Sequence, residues 1–127
     1  MGAIDYLWRK TRYFSLIFYL NKEPRWGHSS VLSEDNIYIY GGFSEINSKY
    51  FGDLWKLNLS KIFFLEKIKK KENYEWQKIE SYNTPAPRRN TSCVANGEKI
   101  YIFGGTVHQS GHSDELFSFS LSQNFIS

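Results

Sequence analysis

The sequence predicts an all-β protein built from four-stranded antiparallel meanders, about two of which are present. Aromatic residues make up 18% of the 127-residue chain, and this enrichment favours strands over helices. Blocks of sequence recur about 63 residues apart, which indicates repeated structural units. Glycine pairs and an Asn-Gly turn separate short apolar runs, as is typical of hairpins. Together these features predict a β-repeat protein.

The repeat consists of three blocks that keep their order and nearly the same spacing. The offset between the two copies is 63 residues for the first two blocks and 62 for the third. Five of six residues are identical in the second block, so chance is a poor explanation. The paired segments are 24–31 with 87–94, 37–42 with 100–105, and 53–59 with 115–121.

The first two strands of each meander come from the first two blocks. Residues 29–32 and 91–95 are short, rich in Ser, Thr and Val, and end at turn residues. Residues 37–40 and 100–103 are runs of β-branched and aromatic residues without polar alternation. Such runs are typical of a strand that is buried on both faces.

Glycine pairs follow the second strand of each copy, at Gly41-Gly42 and Gly104-Gly105. Glycine adopts backbone angles that a Cβ atom forbids and allows neighbouring backbone to pack closely. Neither pair opens a helix or fits the frame of a phosphate-binding loop. We therefore expect a structural role for all four glycines.

The third and fourth strands are predicted from alternation. Residues 54–59 and 74–79 alternate in side-chain type along the first copy. Trp55, Trp76 and Phe117 stand at strand positions defined by the repeat. Large aromatic side chains at such positions are predicted to pack between meanders rather than to bind ligands.

These elements carry a family resemblance. An apolar quartet followed by Gly-Gly, an Asp-Leu-Trp strand and an isolated Trp strand resembles the kelch repeat, one blade of a β-propeller. Segments 24–29 (Pro-Arg-Trp-Gly-His-Ser) and 85–89 (Pro-Ala-Pro-Arg-Arg) are similar to the lead-in of a blade. Two features depart from the pattern. Leu57 and Phe119 stand where many kelch repeats carry Tyr, and the period of 63 exceeds about 50 residues.

The resemblance divides the chain into three parts and implies an incomplete propeller of about two blades. Residues 1–23 form an N-terminal segment in which residues 6–10 match the fourth strand of a preceding blade or, alternatively, residues 7–9 match the third strand. Residues 24–80 form the first repeat, and residues 81–127 form a second repeat that is expected to lack its fourth strand. Such a chain is either part of a larger kelch protein or self-associates to cover its open blade faces.

The long basic loop of the first repeat, residues 60–73, is predicted to be a solvated insertion. The alternative is that residues 62–65 form a helix that packs on the blade. The whole excess of the chain's net charge of +3 lies between residues 60 and 72. A nucleic-acid surface would spread its charge over several segments, so none is expected.

Membrane association is not expected either. The apolar run at residues 13–20 is shorter than the roughly 20 residues that a spanning helix needs, and no small-residue cleavage site follows it. The role of this run is left open. Cys93 is the single cysteine, which excludes an intrachain disulfide, and we expect a cytoplasmic protein.

Signals for catalysis, metal binding or a cofactor are missing from the sequence. His28, His108 and His112 have no Ser-His-Asp or Cys-His arrangement around them. His108 and His112 are four residues apart, but a metal site there would lack a third ligand nearby. We therefore expect a non-enzymatic protein without a metal or cofactor. The alternatives are a fragment of a larger kelch-propeller protein with no independent activity, or part of a propeller enzyme, for which a clustered set of His, Tyr and Cys residues would be the discriminating feature and is missing.

The resemblance implies a protein-interaction module that binds partners through its blade loops. In a propeller, the loop after each glycine pair and the connection entering each blade converge on one end. Related kelch proteins use arginines near the blade entrance to hold acidic peptides, and the guanidinium pairs bidentately with carboxylates. The alternative is that Arg25 and Arg88 pair with neighbouring backbone or acids. The candidate partner-binding residues are Arg25, Arg88, Arg89, Tyr50, His108 and His112.

Overall fold

The computed structural model describes residues 24–68, 76–122 and 125–126. These residues form antiparallel strands in three sheets together with one helix, which confirms the all-β fold class. The expectations for residues 1–23, including the extra strand at 6–10 and the apolar run at 13–20, lie outside this part of the chain.

The first blade is a four-stranded antiparallel meander with the order β1-β2-β3-β4. Strands β1 and β2 are joined by a two-residue turn in which Glu34 adopts a positive φ of 51°. Residues 74 and 75, predicted to begin the fourth strand, lie outside the described residues. The strands are β1 (Ser29–Ser33), β2 (Asn36–Ser44), β3 (Lys49–Asn58) and β4 (Trp76–Ile79).

A helix, α1 (Leu59–Lys67), stands where a solvated loop is predicted. Asn58 caps it, because its Oδ1 accepts a hydrogen bond from the backbone N–H of Lys61 at 3.0 Å. Leu59 and Ile62 are buried against a cluster around Leu57. The solvated-loop prediction is therefore wrong for this segment: it forms a helix, and Leu59 and Ile62 pack from it on the blade, as in the alternative.

The second blade is a shorter meander with the strand order β11-β10-β7-β6. The expectation that it lacks a fourth strand is corrected. Phe125 and Ile126 pair antiparallel with Ser120 and Phe119. Two residues suffice for this pairing, and they carry no Trp signal of the kind that marks β4. The strands are β6 (Ser92–Asn96), β7 (Lys99–Phe103), β10 (Leu116–Ser120) and β11 (Phe125–Ile126).

A small third sheet connects the entrance of the second blade to the loop after its glycine pair. It has the order β5-β8-β9. In the first blade an isolated bridge between Trp26 and Phe43 takes the corresponding place. The strands are β5 (Arg88–Arg89), β8 (Thr106–Val107) and β9 (Gly111–His112).

The main core lies between the two blades. We call the face of the first blade that points to the second its A face, and the face of the second blade that points back its B face. The register of each sheet places alternate residues on these faces. The buried residues at the centre are Tyr38, Tyr40 and Leu54 from the A face and Ile100, Ile102 and Phe119 from the B face.

The three aromatic residues predicted to pack between blades occupy different environments. Phe117 packs against the interblade core. Trp76 packs instead on the cluster of Leu57 beneath α1, on the opposite face of the first blade. Trp55 lies on that same opposite face, where its indole Nε1 donates to Asp53 at 2.8 Å. The prediction is therefore corrected for both tryptophans.

One glycine of each pair allows a close approach of backbone, between the two blades at Gly41 and within the second repeat at Gly105. Gly41 has φ +69°, and a Cβ atom there would lie 2.6 Å from the carbonyl oxygen of Arg88. Gly105 has φ +96°, and its Cβ would lie 2.7 Å from the carbonyl oxygen of Arg89. Any other residue at either position would be strained and would collide with backbone.

Candidate partner-binding site

The entrance of the first blade is held by a buried arginine. The Arg25 side chain lies over the ring of Phe51, with its guanidinium carbon 3.7 Å from the ring centroid. Its Nη1 donates to the carbonyl of Gly41 at 3.1 Å. Nη1 and Nη2 also donate to the two carboxylate oxygens of Asp53 at 2.5 and 3.0 Å, so the ion pair is bidentate.

The second blade repeats this arrangement around Arg88. Its Nη1 donates to the carbonyl of Gly104 at 3.2 Å, and its Nη2 donates to Glu115 at 3.0 Å. Its Nε donates to the carbonyl of Ala86 at 3.1 Å. Each blade therefore has the same unit of an arginine, a glycine carbonyl and an acid, which we call the arginine clamp.

Burial removes both clamp arginines from the predicted binding rim. Arg25 is 4% exposed and Arg88 is 1% exposed. The rim prediction for these two residues is corrected in favour of the alternative, in which they pair with backbone and acids. A signal for this was present in the repeat, since Asp53 and Glu115 are aligned acids just as Arg25 and Arg88 are aligned arginines.

In each clamp the arginine contributes to a lowered pKa of the carboxylate that it pairs with. Burial alone would raise the pKa of Asp53, but hydrogen bonds and charge from Arg25, with a hydrogen bond from Trp55, outweigh it and lower the pKa. Hydrogen bonds from Arg88 and Ser113 lower the pKa of Glu115. Both carboxylates are therefore ionised at neutral pH, as the ion pairs require.

A different arginine lies on an aromatic platform where loops of the two blades meet. The guanidinium carbon of Arg89 is 4.6 Å from the ring centroid of Trp26, 5.1 Å from that of Phe43 and 5.5 Å from that of Tyr50. The imidazole of His108 lies against Tyr50, with a centroid separation of 5.3 Å. We call these five residues the Arg89 cluster.

Local backbone pairing positions the platform. Trp26 and Phe43 exchange two backbone hydrogen bonds of 2.9 and 2.8 Å, which fix the blade entrance beside the end of β2. Their rings, and those of Phe43 and Tyr50, meet edge to face at centroid distances of 5.7 and 4.9 Å. The backbone N–H of Asn90 donates a hydrogen bond to the backbone carbonyl of Gly27 at 2.7 Å, which links the two blade entrances.

The charge of Arg89 is not neutralised within the part of the chain that the structure describes. No carboxylate there forms an ion pair with it, unlike Arg25 and Arg88. Its Nε is buried without a hydrogen-bond partner. Arg89 is half-buried and Trp26 is 37% exposed, so the platform is open to solvent. A planar cation held on aromatic rings can accept a carboxylate.

Of the predicted partner-binding residues, three meet in the cluster: Tyr50, Arg89 and His108. His112 is exposed on β9, where its Nδ1 lies 3.3 Å from the hydroxyl oxygen of Thr106, and it does not contact the cluster. Sequence reasoning missed Trp26 and Phe43. The available signal was the presence of large aromatic residues in segments that the repeat assigns to a blade entrance and a loop.

The remaining histidine, His28, directly precedes β1, and Cys93 packs against the interblade core. Burial, with a contribution from the charge of Arg25, lowers the pKa of His28. Burial raises the pKa of Cys93, whose Sγ lies 3.0 Å from the hydroxyl oxygen of Ser29. Among the described residues, no three His, Cys, Asp or Glu side chains are placed to hold a metal ion. No helix in the described part of the chain has both the length and the apolar character needed to cross a bilayer.

Comparisons with known proteins agree with this architecture. Residues 18–127 match the family model of the KLHDC2/KLHL20/DRC7 Kelch-repeats domain. Kelch domain-containing protein 3 of Homo sapiens is 35% identical over 85 residues, which cover 66% of this chain and 19% of that protein. The protein of the same name from Mus musculus gives the same values. Host cell factor 2 of Homo sapiens is 30% identical over 99 residues, covering 72% of this chain and 11% of that protein.

The aligned part of the chain therefore spans about a fifth of the length of kelch domain-containing protein 3. Kelch-repeat proteins are generally non-enzymatic modules for protein interaction. The family match covers both blades, the two arginine clamps and the Arg89 cluster. The chain belongs to the KLHDC2/KLHL20/DRC7 Kelch-repeats family.

Proposed function

We propose that this chain is a non-enzymatic protein-interaction module that binds an acidic peptide segment of a partner at the Arg89 cluster. One observation carries the proposal. Among the three arginines at the blade entrances, Arg25 and Arg88 have carboxylate partners, whereas Arg89 has none among the described residues and lies on aromatic rings open to solvent. The partner would supply the missing carboxylate.

The aromatic platform prepares Arg89 for this contact. Packing against Trp26, Phe43 and Tyr50 limits the rotamers of a long side chain, so less entropy is lost when a ligand binds. The rings also exclude water from one side of the guanidinium, which strengthens its attraction to a carboxylate. A bidentate pair formed there would be a charge-assisted hydrogen bond of the stronger kind.

The surroundings of Arg89 favour a peptide over a lone anion. Trp26 offers exposed apolar surface beside the charge, and His108 extends the aromatic surface toward the second blade. A segment with an Asp or Glu next to an apolar residue would therefore contact both the guanidinium and the rings. Aromatic residues and Arg are the residues most enriched at the energetic centres of protein interfaces.

The test uses a hexaglutamate peptide as the probe and a hexaglutamine peptide as its neutral counterpart. Binding is followed by NMR through the indole N–H resonance of Trp26, assigned with the variant Trp26→Phe. We expect hexaglutamate to shift this resonance and hexaglutamine to leave it unchanged. Arg89→Gln should weaken binding by about tenfold or more, as expected when a charge-assisted hydrogen bond is lost.

Lys99→Gln is the matched control, because it removes one positive charge from an exposed position at the start of β7, outside the cluster. It should change the affinity for hexaglutamate little. Raising the salt concentration should weaken binding, because exposed charge pairs are screened. Equal losses in Arg89→Gln and Lys99→Gln would show that hexaglutamate responds only to net charge, and the proposed site would be wrong.

A further inference from the structure

A cleft lies between the two blades, at the margin of the main core. Its volume of about 320 Å³ is within the range of pockets that hold small ligands, and such pockets are common where two structural units meet. Both blades contribute to it. The residues that form most of its walls are Tyr38, Lys56, Gln77 and Ile79 from the first blade and Phe119 and Leu121 from the second.

One wall of this interblade cleft is a row of polar side chains on the A face of the first blade. Tyr38 is paired with Lys56 across β2 and β3, and Lys56 is paired with Gln77 across β3 and β4. Directly paired residues of neighbouring strands carry their side chains on the same face of a sheet. The row therefore combines a hydroxyl, an ammonium and a carboxamide group, all of which can donate hydrogen bonds.

The rest of the interblade cleft is largely apolar. Phe119 is fully buried in the core between the blades, and Ile79 and Leu121 pack at the margin of that core. A ligand that contacts both this surface and the polar row needs an apolar body next to a hydrogen-bond acceptor. Most small-molecule sites have this composition, in which a few polar groups orient a ligand on apolar walls.

Lys56 determines the charge of the interblade cleft. It is half-buried, and no carboxylate in the part of the chain that the structure describes forms an ion pair with it. The charges of Lys78 and Glu80, which also line the cleft, cancel each other, so one positive charge remains. The blade fold does not require a lysine here, because the position aligned with Lys56 in the second blade is Ser118.

We propose that the interblade cleft binds a small organic carboxylate with an apolar body. The carboxylate accepts hydrogen bonds from the row around Lys56, and the body packs on Ile79 and Leu121. A single ammonium matches a monoanion, whereas a doubly charged phosphate ester would bring a charge without a counter-charge into a half-buried site. The cleft shares no residue with the Arg89 cluster, so this inference does not depend on the proposed peptide site.

The experiment titrates phenylacetate into the full chain and uses phenylacetamide as the neutral counterpart. Binding is followed by NMR through the δ1-methyl resonance of Ile79, which is assigned with the variant Ile79→Val. The methyl resonance of Ile46, a residue that is 75% exposed in the turn after β2, reports non-specific binding. We expect phenylacetate to shift the Ile79 resonance saturably with a Kd of about 1 mM or below and to leave Ile46 unchanged. Phenylacetamide should bind at least about tenfold more weakly, because it lacks the charge that Lys56 attracts.

Three variants locate the site. Lys56→Gln should weaken phenylacetate binding by about tenfold or more, as expected for the loss of a charge-assisted hydrogen bond. Lys67→Gln is the matched control, because it removes the same charge from an exposed position at the end of α1, which packs on the opposite face of the first blade. Lys67→Gln and Arg89→Gln should both leave the affinity unchanged.

Three results would overturn the proposal. The first is an Ile79 resonance that does not respond to phenylacetate at millimolar concentration. The second is equal binding of phenylacetate and phenylacetamide, which would show that the cleft does not select a carboxylate. The third is an equal loss of affinity in Lys56→Gln and Lys67→Gln, because the probe would then respond only to the net charge of the chain.

Discussion

At the scale of single residues, two adjacent arginines have opposite surroundings. Successive side chains of a strand point to opposite sides, so Arg88 of β5 enters its blade while Arg89 faces the aromatic platform. Arg88 donates to two backbone carbonyls and an acid, whereas Arg89 contacts rings. Strand geometry therefore gives Arg88 a structural role and places the next arginine, Arg89, at an open surface.

The two arginine clamps are expected to differ in strength. Arg25→Gln leaves the largely buried Asp53 without its counter-charge, and breaking a buried pair in this way costs about 3–5 kcal/mol. Glu115 is 58% exposed, so its carboxylate stays hydrated in Arg88→Gln. The main cost in free energy of unfolding is then the loss of hydrogen bonds to backbone carbonyls, about 1–3 kcal/mol. Chemical denaturation of the two variants measures this difference, and equal losses would contradict the clamp energetics.

Acid should weaken the first clamp. The pKa of Asp53 in the folded chain lies below its ordinary value of 3.8. Its stabilising contribution is therefore complete above that value and is lost as the pH falls through the folded pKa. The free energy of unfolding, measured between pH 5 and pH 3, should fall less in Asp53→Asn than in the natural chain. A parallel pH dependence in both proteins would mean that other groups govern acid unfolding.

At the scale of elements, α1 closes one side of the first blade. Leu59 and Ile62 pack against Leu57, with Ile37 and Trp76 at the margin of the cluster. The helix has no acidic residue in its first turn, so its stability depends on the Asn58 cap and on this packing. Short helices are marginal alone and gain most of their stability from such tertiary contacts.

Substitutions in α1 test this packing. Ile62 is 3% exposed and Phe64, two residues further along the helix, is 60% exposed. Ile62→Ala should cost about 2–4 kcal/mol, because it leaves a cavity under the helix. Phe64→Ala is the matched control and should cost less than about 0.5 kcal/mol. Thermal unfolding of the two variants would contradict the packing if Phe64→Ala were the more damaging change.

The sequence predicts the strands better than it predicts the contacts of side chains. Blocks such as 37–42 and 100–105 repeat, so the positions of the strands in two meanders can be predicted from their spacing. The role of Arg25 and Arg88 could not be predicted from the sequence, because an arginine at a blade entrance is compatible with either a clamp or a binding rim. The two-residue strand β11 was missed because pairing at its length depends on a neighbouring strand rather than on local propensity.

At the scale of the whole molecule, both blades contribute to one core and to one candidate binding site. Tyr40 of the first blade and Ile102 of the second are buried in the same interblade cluster. The burial of Tyr40 raises the pKa of its hydroxyl to about 12, so this group stays neutral in the core. The Arg89 cluster likewise joins Trp26 of the first blade to Arg89 of the second. The site is therefore complete only where the two blades pack together.

The most direct test of the account measures stability and hexaglutamate binding for Arg88→Gln and Arg89→Gln together. The two variants carry the same charge change at neighbouring positions. We expect Arg88→Gln to lower the free energy of unfolding by about 1–3 kcal/mol. Arg89→Gln should lower it by no more than about 1 kcal/mol, the typical value of exposed cation–π contacts, while weakening peptide binding by about tenfold. Unchanged peptide binding in Arg89→Gln, or a larger loss of stability there than in Arg88→Gln, would contradict the account.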